Sequence, residues 1–409
     1  MTGDYDVDHV RRQFPALSSG TAFFDGPGGS QLPQQVTGAM AEAMMAGLSN
    51  RGRLTATERA ADDIVLAARS AVGDLVGGDP RGVVFGGSMT ALTYQLSRAL
   101  AKQWRPGDEV VVTSLDHDAD IRPWVQAAAA AGATIRWAEL DPVTGELPAE
   151  AVAAVLSPRT RLVAVTGAAN LIGTRPDVAA IARGAHDVGA LVYVDGVHLT
   201  PHAPVDMGAL GADFYAASPY KFLGPHLGLV VADPALLATV QPDKLLPSAE
   251  EVPERFEFGT LPYELLVGVS AAIDFLAGLV PGDGSRRARL IASMTVLEAY
   301  EDGLRRRLES GLAACDGVTL HGRAARRTPT VLFTVAGSTP DAMAEQLAAA
   351  GINAPAGSFY AIEASRRLGL GAAGGVRAGI APYTSAEEVD RLVAVVGGRT
   401  EPGKPSRVG

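Results

Sequence analysis

Between residues 22 and 232, short apolar runs alternate with stretches of helical spacing. The runs at 83–85, 110–115, 161–166, 191–194, 214–216 and 229–231 are rich in Val, Leu, Ala and aromatic side chains and are bounded by glycine or polar turns. That pattern predicts buried strands. Residues 33–48, 91–100 and 176–188 repeat their apolar side chains at helical spacing. Strand, crossover helix and strand at this spacing predict a parallel α/β sheet. After Tyr263 the pattern changes: a long helix leads away, and a strongly helical run covers 286–312. Residues 328–335 and 374–381 read as strands of a second, smaller sheet, with a helix at 342–350. A last amphipathic helix at 386–396 is capped by Tyr383-Thr384-Ser385. The expected division is an N-terminal segment at 1–20 docked through Phe14, Pro15 and Leu17, a large domain at 21–265, a small domain at 266–400 and a frayed tail at 401–409.

The 409 residues suffice for a large core and two domains. A formal charge of −10 argues against nucleic acid and anionic membrane surfaces as partners. No uncharged apolar run is long enough to span a bilayer; the best, 265–280, contains Asp274. The acidic start MTGDYDVDHV carries no hydrophobic signal segment, so a cytoplasmic protein is expected. The single cysteine, Cys315, excludes an internal disulfide and a cysteine-based zinc site. The seven histidines are scattered without metal-ligand spacing, and no metal is expected.

Two stretches carry candidate chemistry. Lys221 lies in Ser218-Pro219-Tyr220-Lys221-Phe222-Leu223-Gly224, between the strand-like 214–216 and 229–231. A lysine at the end of a buried strand is desolvated, which lowers its pKa and makes its amine a nucleophile toward an aldehyde. The competing reading is a surface lysine that follows a strand. Asp195 ends the apolar run 191–194, where a carboxylate usually points into a ligand crevice. A carboxylate opposite a pyridine nitrogen is what pyridoxal phosphate requires, because it keeps that nitrogen protonated and the ring electron-accepting. Taken alone, Asp195 reads equally as a helix cap or a structural ion pair.

Asp195-Gly196-Val197-His198, followed by Ser218-x-x-Lys221, resembles the class V aminotransferase family of fold type I pyridoxal phosphate enzymes. The branch it is similar to holds cysteine desulfurases, selenocysteine lyases and isopenicillin N epimerase-like proteins. The resemblance runs from about Phe23 to Val396. It implies an α/β fold with a mostly parallel, seven-stranded sheet in the large domain and a smaller C-terminal α/β domain. It makes Gly86-Gly87-Ser88-Met89 the cofactor-phosphate cup at a helix N-terminus, with Met89 offering only its backbone N–H. It lays His117 on the cofactor ring, where stacking fixes the ring and the imidazole also moves protons. Asn170 and His198 then face the cofactor's phenolate oxygen, and Ser218 belongs to the cofactor site. Arg377, at a strand start among small residues, matches the substrate α-carboxylate clamp; a structural ion pair is the competing reading. Gly259-Thr260 matches a pair that binds the cofactor phosphate of the neighbouring subunit, which implies a homodimer with a composite site. Arg51 and Arg53 fall near the substrate entrance or simply start a solvated helix.

Departures from the family pattern narrow the chemistry. The segment 356–363, Ala-Gly-Ser-Phe-Tyr-Ala-Ile-Glu, stands where a desulfurase carries its persulfide-forming cysteine, and it has none. Cys315 reads as packed at a helix end. Tyr220 replaces the usual histidine before the lysine and changes the proton inventory there. Phe359 and Tyr360 suggest an aromatic wall and an amino-acid substrate larger than cysteine. Asp118 and Asp120 either select a cationic group on the substrate or face water. The favoured expectation is a β-eliminating C–S lyase acting on an S-substituted cysteine. Epimerase, aminotransferase and decarboxylating oxidative deaminase chemistry remain alternatives on the same scaffold, as does a non-catalytic binding protein; a true cysteine desulfurase is disfavoured for want of the loop cysteine. A nicotinamide-binding fold is disfavoured, because no G-x-G-x-x-G follows the first strand.

Overall fold

The computed structural model describes residues 5–398; the tail expected at 401–409 lies outside the described residues. In chain order the strands are β1 (Ala22–Phe23), β2 (Val83–Gly86), β3 (Glu109–Thr113), β4 (Thr134–Ala138), β5 (Thr160–Thr166), β6 (Leu191–Asp195), β7 (Phe214–Ala217), β8 (Gly228–Ala232), β9 (Val318–His321), β10 (Thr330–Val335), β11 (Ile352–Asn353), β12 (Ala356–Gly357) and β13 (Gly375–Gly379).

Seven of them form the large sheet in the order β2-β8-β7-β6-β5-β3-β4. Only β8 runs against its neighbours, β2 and β7; the other pairings are parallel. Side chains alternate between two cores: Val111 of β3 packs on one face, Val110 and Val112 on the other. Burial on both faces is why these strands read as unbroken apolar runs. Helices Met89–Ala101 and Arg122–Ala131 cover one face; Ala56–Val76, Val178–Asp187 and Tyr263–Ala277 cover the other. The C-terminal ends of β3, β5, β6 and β7 therefore open along one edge, where ligands of such sheets bind.

The second sheet has the order β12-β13-β10-β9 and is antiparallel. Two of the expected boundaries shift. The division between 265 and 266 falls inside the helix Tyr263–Ala277, whose Leu266, Val269, Ile273 and Leu276 pack into the core of the large sheet. β1, expected in the large domain, pairs in parallel with β11, and Ala22 and Phe24 pack into the small domain's core. A strand of two residues takes whatever edge its apolar side chains can reach. This return carries the loop 26–30 to the active-site edge. Gly379 permits it, since a Cβ there would lie 2.2 Å from the Pro27 ring. Phe14 is buried, with its ring edge-on against Phe275.

Candidate active site

The turn after β2 builds an anion cradle. Ser88 caps the helix Met89–Ala101, its Oγ accepting from the Ala91 N–H at 3.1 Å. The N–H groups of Met89 and Thr90, in the first turn, have no intrahelical acceptor, and both residues line a cavity at the sheet edge. Gly228 at the start of β8 makes the close packing possible: a Cβ there would stand 2.0 Å from the Ser88 carbonyl carbon.

Lys221 lies in a short turn, Pro219–Lys221, just past β7. The loop 26–30 braces it. The Tyr220 carbonyl accepts from the Ser30 N–H at 2.9 Å and the Ser30 Oγ at 3.1 Å, and that Oγ accepts from the Leu223 N–H at 2.9 Å. Burial, then the nearby Arg377 charge, lowers the Lys221 amine to about 8, against the opposing pull of Asp195. Asp195, buried at the end of β6, is raised to about 6 by burial, although the Val197 N–H at 2.9 Å and the Lys221 charge hold it down. The Tyr220 ring stacks on His226, centroids 4.7 Å apart, and burial followed by Asp195 raises its phenol. Ser218 and His198 line the same cavity. His198 Nε2 lies 2.9 Å from Thr330 Oγ1, and its buried Nδ1 has no partner among the described residues.

His117 follows β3. Its Nδ1 accepts from the Ala119 N–H at 3.0 Å, so the neutral ring carries its proton on Nε2. Burial and the positive charge of Lys221 lower it to about 4, keeping it neutral near pH 7. Asp118 and Asp120 belong to one 3-10 turn that points them apart. Asp118 lines the outer cavity and pairs with Arg122 at 2.8 Å. Asp120 neither faces water nor meets a substrate. It is fully buried, accepts from Trp124 Nε1 at 3.0 Å, and is pushed up by burial and by the carboxylates of Asp116 and Asp195.

Arg377 of β13 is buried. Its Nη1 donates to the Asn170 carbonyl at 3.0 Å, while its buried Nε has no partner among the described residues. Burial lowers it to about 9, with Asp25 opposing. Phe359 and Tyr360 both adopt left-handed backbone, φ 52° and 60°, which is strained for side chains of this size. Hydrogen bonds hold the kink: Asn170 Nδ2 donates to the Phe359 carbonyl and the Asp118 N–H to the Tyr360 carbonyl, each at 2.8 Å. Asn170 Nδ2 retains a second N–H, and its buried Oδ1 is unpartnered. These groups enclose an outer cavity of about 580 Å³ that shares His117, Asn170, Tyr220 and Lys221 with the inner one.

Two expected site residues are not brought here. Arg51 bonds Asp62 at 2.7 Å and Glu254 at 3.0 Å, an ion-paired position that is neither the substrate entrance nor a solvated helix start. Thr260 is exposed and lines neither cavity. Conversely, Tyr94 and Arg122 line the outer cavity and were missed. Tyr94 lies one helical turn beyond Thr90, and Arg122 four residues beyond Asp118; both spacings were visible signals.

A nucleophilic lysine, a strand-end carboxylate, an anion cradle and a flanking histidine at one sheet edge define an enzyme built around an aldehyde cofactor with an anionic group. The family model for class V aminotransferases matches residues 22–392, and the chain belongs to that family. It is 37% identical to uncharacterized protein MT3887 of Mycobacterium tuberculosis, over 95% of this chain and 98% of that one. It is 30% identical to a cysteine desulfurase of Klebsiella pneumoniae, over 95% and 97%. The solved structure of the Escherichia coli cysteine desulfurase CsdA superimposes with a TM-score of 0.85 at 26% identity, covering 97% of this chain and 99% of that chain. The protein is a pyridoxal 5'-phosphate-dependent enzyme, and the unpartnered polar atoms on His198 and Asn170, with the free N–H groups at Met89 and Thr90, fit that cofactor.

Proposed function

We propose that this enzyme is a β-eliminating C–S lyase of an S-substituted cysteine, giving a thiol, pyruvate and ammonium from the amino acid and one water. The observation that carries the reading is the aromatic pair Phe359-Tyr360 on the substrate-side loop, where thiol chemistry would need a cysteine. Cys315 supports it from the other side: its Sγ packs against the carbonyls of Gly311 and Val393 and lines neither active-site cavity. The volume of the outer cavity and its lining by Tyr94, Phe359 and Tyr360 favour a substituent larger than hydrogen on sulfur.

When bound, pyridoxal phosphate supplies an aldehyde that captures amines and a ring that takes up the electron pair left at the substrate's α-carbon. The chain's residues do the rest. Met89 and Thr90 N–H groups with the Ser88 and Ser218 hydroxyls would hold the phosphate, Asp195 would keep a proton on the ring nitrogen, and His117 would flank the ring. Asn170 and His198 serve the ring's oxygen. The fork of Arg377, with its free Nε, grips the substrate α-carboxylate. Lys221, its amine lowered toward neutrality, would hold the aldehyde and, when its amine is free, would take the substrate's α-proton. As the C–S bond breaks its electron pair leaves with sulfur, and Tyr220 stands near to return a proton to the thiolate.

A homodimer fits the surface. Thr260 sits beside Phe258, 59% exposed, and Met44, Met45, Leu54 and Leu246 are each more than two-thirds exposed. These exposed apolar side chains support the dimer reading, in which Thr260 would serve a neighbouring subunit's cofactor phosphate. The test is product analysis of the cofactor-loaded enzyme with S-alkyl and S-aryl cysteines beside free cysteine. Equimolar thiol and pyruvate from the substituted substrates supports the proposal; alanine from free cysteine alone, with its sulfur recovered as sulfide only when dithiothreitol is added as reductant, overturns it.

A further inference from the structure

Away from the active site, the helix Arg286–Ala313 and the residues 325–329 that lead into β10 enclose a second cavity of about 510 Å³. Five guanidinium groups line it: Arg175, Arg305, Arg306, Arg326 and Arg327. Their partners are fewer. Arg175 pairs with Glu298; Arg305 and Arg306 share Asp302; Arg305 and Arg327 share Glu309. Three carboxylates thus answer five guanidiniums, and two positive charges stay uncompensated in a chain whose formal charge is −10. Arg326 is exposed and has no side-chain hydrogen bond or ion pair among the described residues. Of the other nearby acids, Glu301 is fully buried and committed to His202 Nδ1 at 2.9 Å, and Glu146 accepts from the Ala325 backbone N–H at 2.9 Å and forms no ion pair with any of the five guanidiniums among the described residues.

The crowding is felt. Burial, then the like charge of Arg305, lowers Arg327 to about 10. A surface ion-pair network gains nothing from two surplus cations around an open concavity; self-repulsion makes such an arrangement costly unless an anion enters. Guanidinium forks match phosphate oxygens through paired N–H donors.

We propose that this cleft is a second anion site, separate from the cofactor-phosphate cradle, that takes a small ligand bearing a phosphate or diphosphate group. Its concave shape and the chain's formal charge of −10 favour a free small molecule over the backbone of a nucleic acid.

The test uses the cofactor-loaded enzyme, so that the cradle at Met89 is already filled, and inorganic pyrophosphate as the probe in calorimetric titration at low ionic strength. The expected result is saturable binding at one site per chain, weakened at least tenfold in Arg326→Glu, nearly retained in Arg326→Lys and unchanged in the remote Arg81→Glu. No saturable binding overturns the proposal, as does equal weakening by Arg81→Glu or binding by Arg326→Glu as tight as in the parent. Tighter binding of a single-stranded oligonucleotide than of pyrophosphate at the same cleft overturns the small-ligand assignment.

Discussion

The Phe359 ring covers the Arg377 guanidinium, ring centroid 3.7 Å from the guanidinium carbon, and Asn170 ties the two together through its carbonyl and its side-chain amide. The ring keeps water off the cation that is proposed to grip the substrate carboxylate. A desolvated contact of this kind is worth up to about 2 kcal/mol, or about thirtyfold in a binding constant. Phe359→Ala should therefore raise KM for the amino-acid substrate by about tenfold, while Phe359→Tyr keeps it near the parent value. Steady-state kinetics on both variants checks this; equal KM in Phe359→Ala removes the role.

Arg377→Lys keeps the charge but loses the fork. One hydrogen bond to the carboxylate in place of two should cost about 1.5 kcal/mol, roughly tenfold in substrate binding. A spectral titration of the cofactor-loaded variant with substrate reads this directly, and unchanged affinity would place the carboxylate elsewhere.

Lys221 titrates at about 8 in the cofactor-free chain. Only the neutral amine attacks an aldehyde, and the amine is neutral above its pKa. Its neutral fraction rises from about one-tenth at pH 7 to about nine-tenths at pH 9. Cofactor capture by the apo-protein should accelerate by about tenfold over that window and then level off. Stopped-flow absorbance measures it; a rate that is flat or falls with pH contradicts the depressed amine. Lys221→Ala should neither form the covalent link nor turn over.

The strand that feeds the phosphate cradle hangs on a buried ion pair. Glu257 bonds Arg69 at 2.9 Å and accepts from the Phe85 N–H of β2 at 3.0 Å, with both side chains almost wholly buried. Glu257→Ala leaves Arg69 with Glu254 alone as its ion partner, at 3.1 Å, and orphans the Phe85 N–H, at a cost of about 1–3 kcal/mol. A thermal melt should drop by several degrees or more, with weaker cofactor retention; an unshifted melt would show the pair to be dispensable.

Much of this site was legible because its chemistry sits at strand ends. Lys221, Asp195, His117 and Asn170 each follow an apolar run, and a parallel sheet collects such positions along one edge. Arg377, Phe359 and Tyr360 reach it from the small domain, and the family resemblance carried them. The misreadings have local causes. Arg51 was judged by position, but ion partners 11 and 203 residues away in sequence claim it. Asp120 was read as selecting a cationic substrate group or facing water, and it does neither, because the turn that directs it inward, beneath Trp124, is set by tertiary packing. β1 joined the other sheet because two residues carry too little pattern to specify an edge. The charge surplus around Arg326 was invisible, since its arginines come from three separate parts of the chain.

The most direct test of the central claim is turnover in heavy water by the cofactor-loaded enzyme, with S-alkyl and S-aryl cysteines read by mass spectrometry. α-Proton removal by Lys221 followed by loss of the thiolate predicts released thiol and pyruvate carrying deuterium in its methyl group, all abolished in Lys221→Ala. Recovery of intact amino acid deuterated at the α-carbon, with no pyruvate, would contradict elimination and point to reprotonation as the enzyme's chemistry.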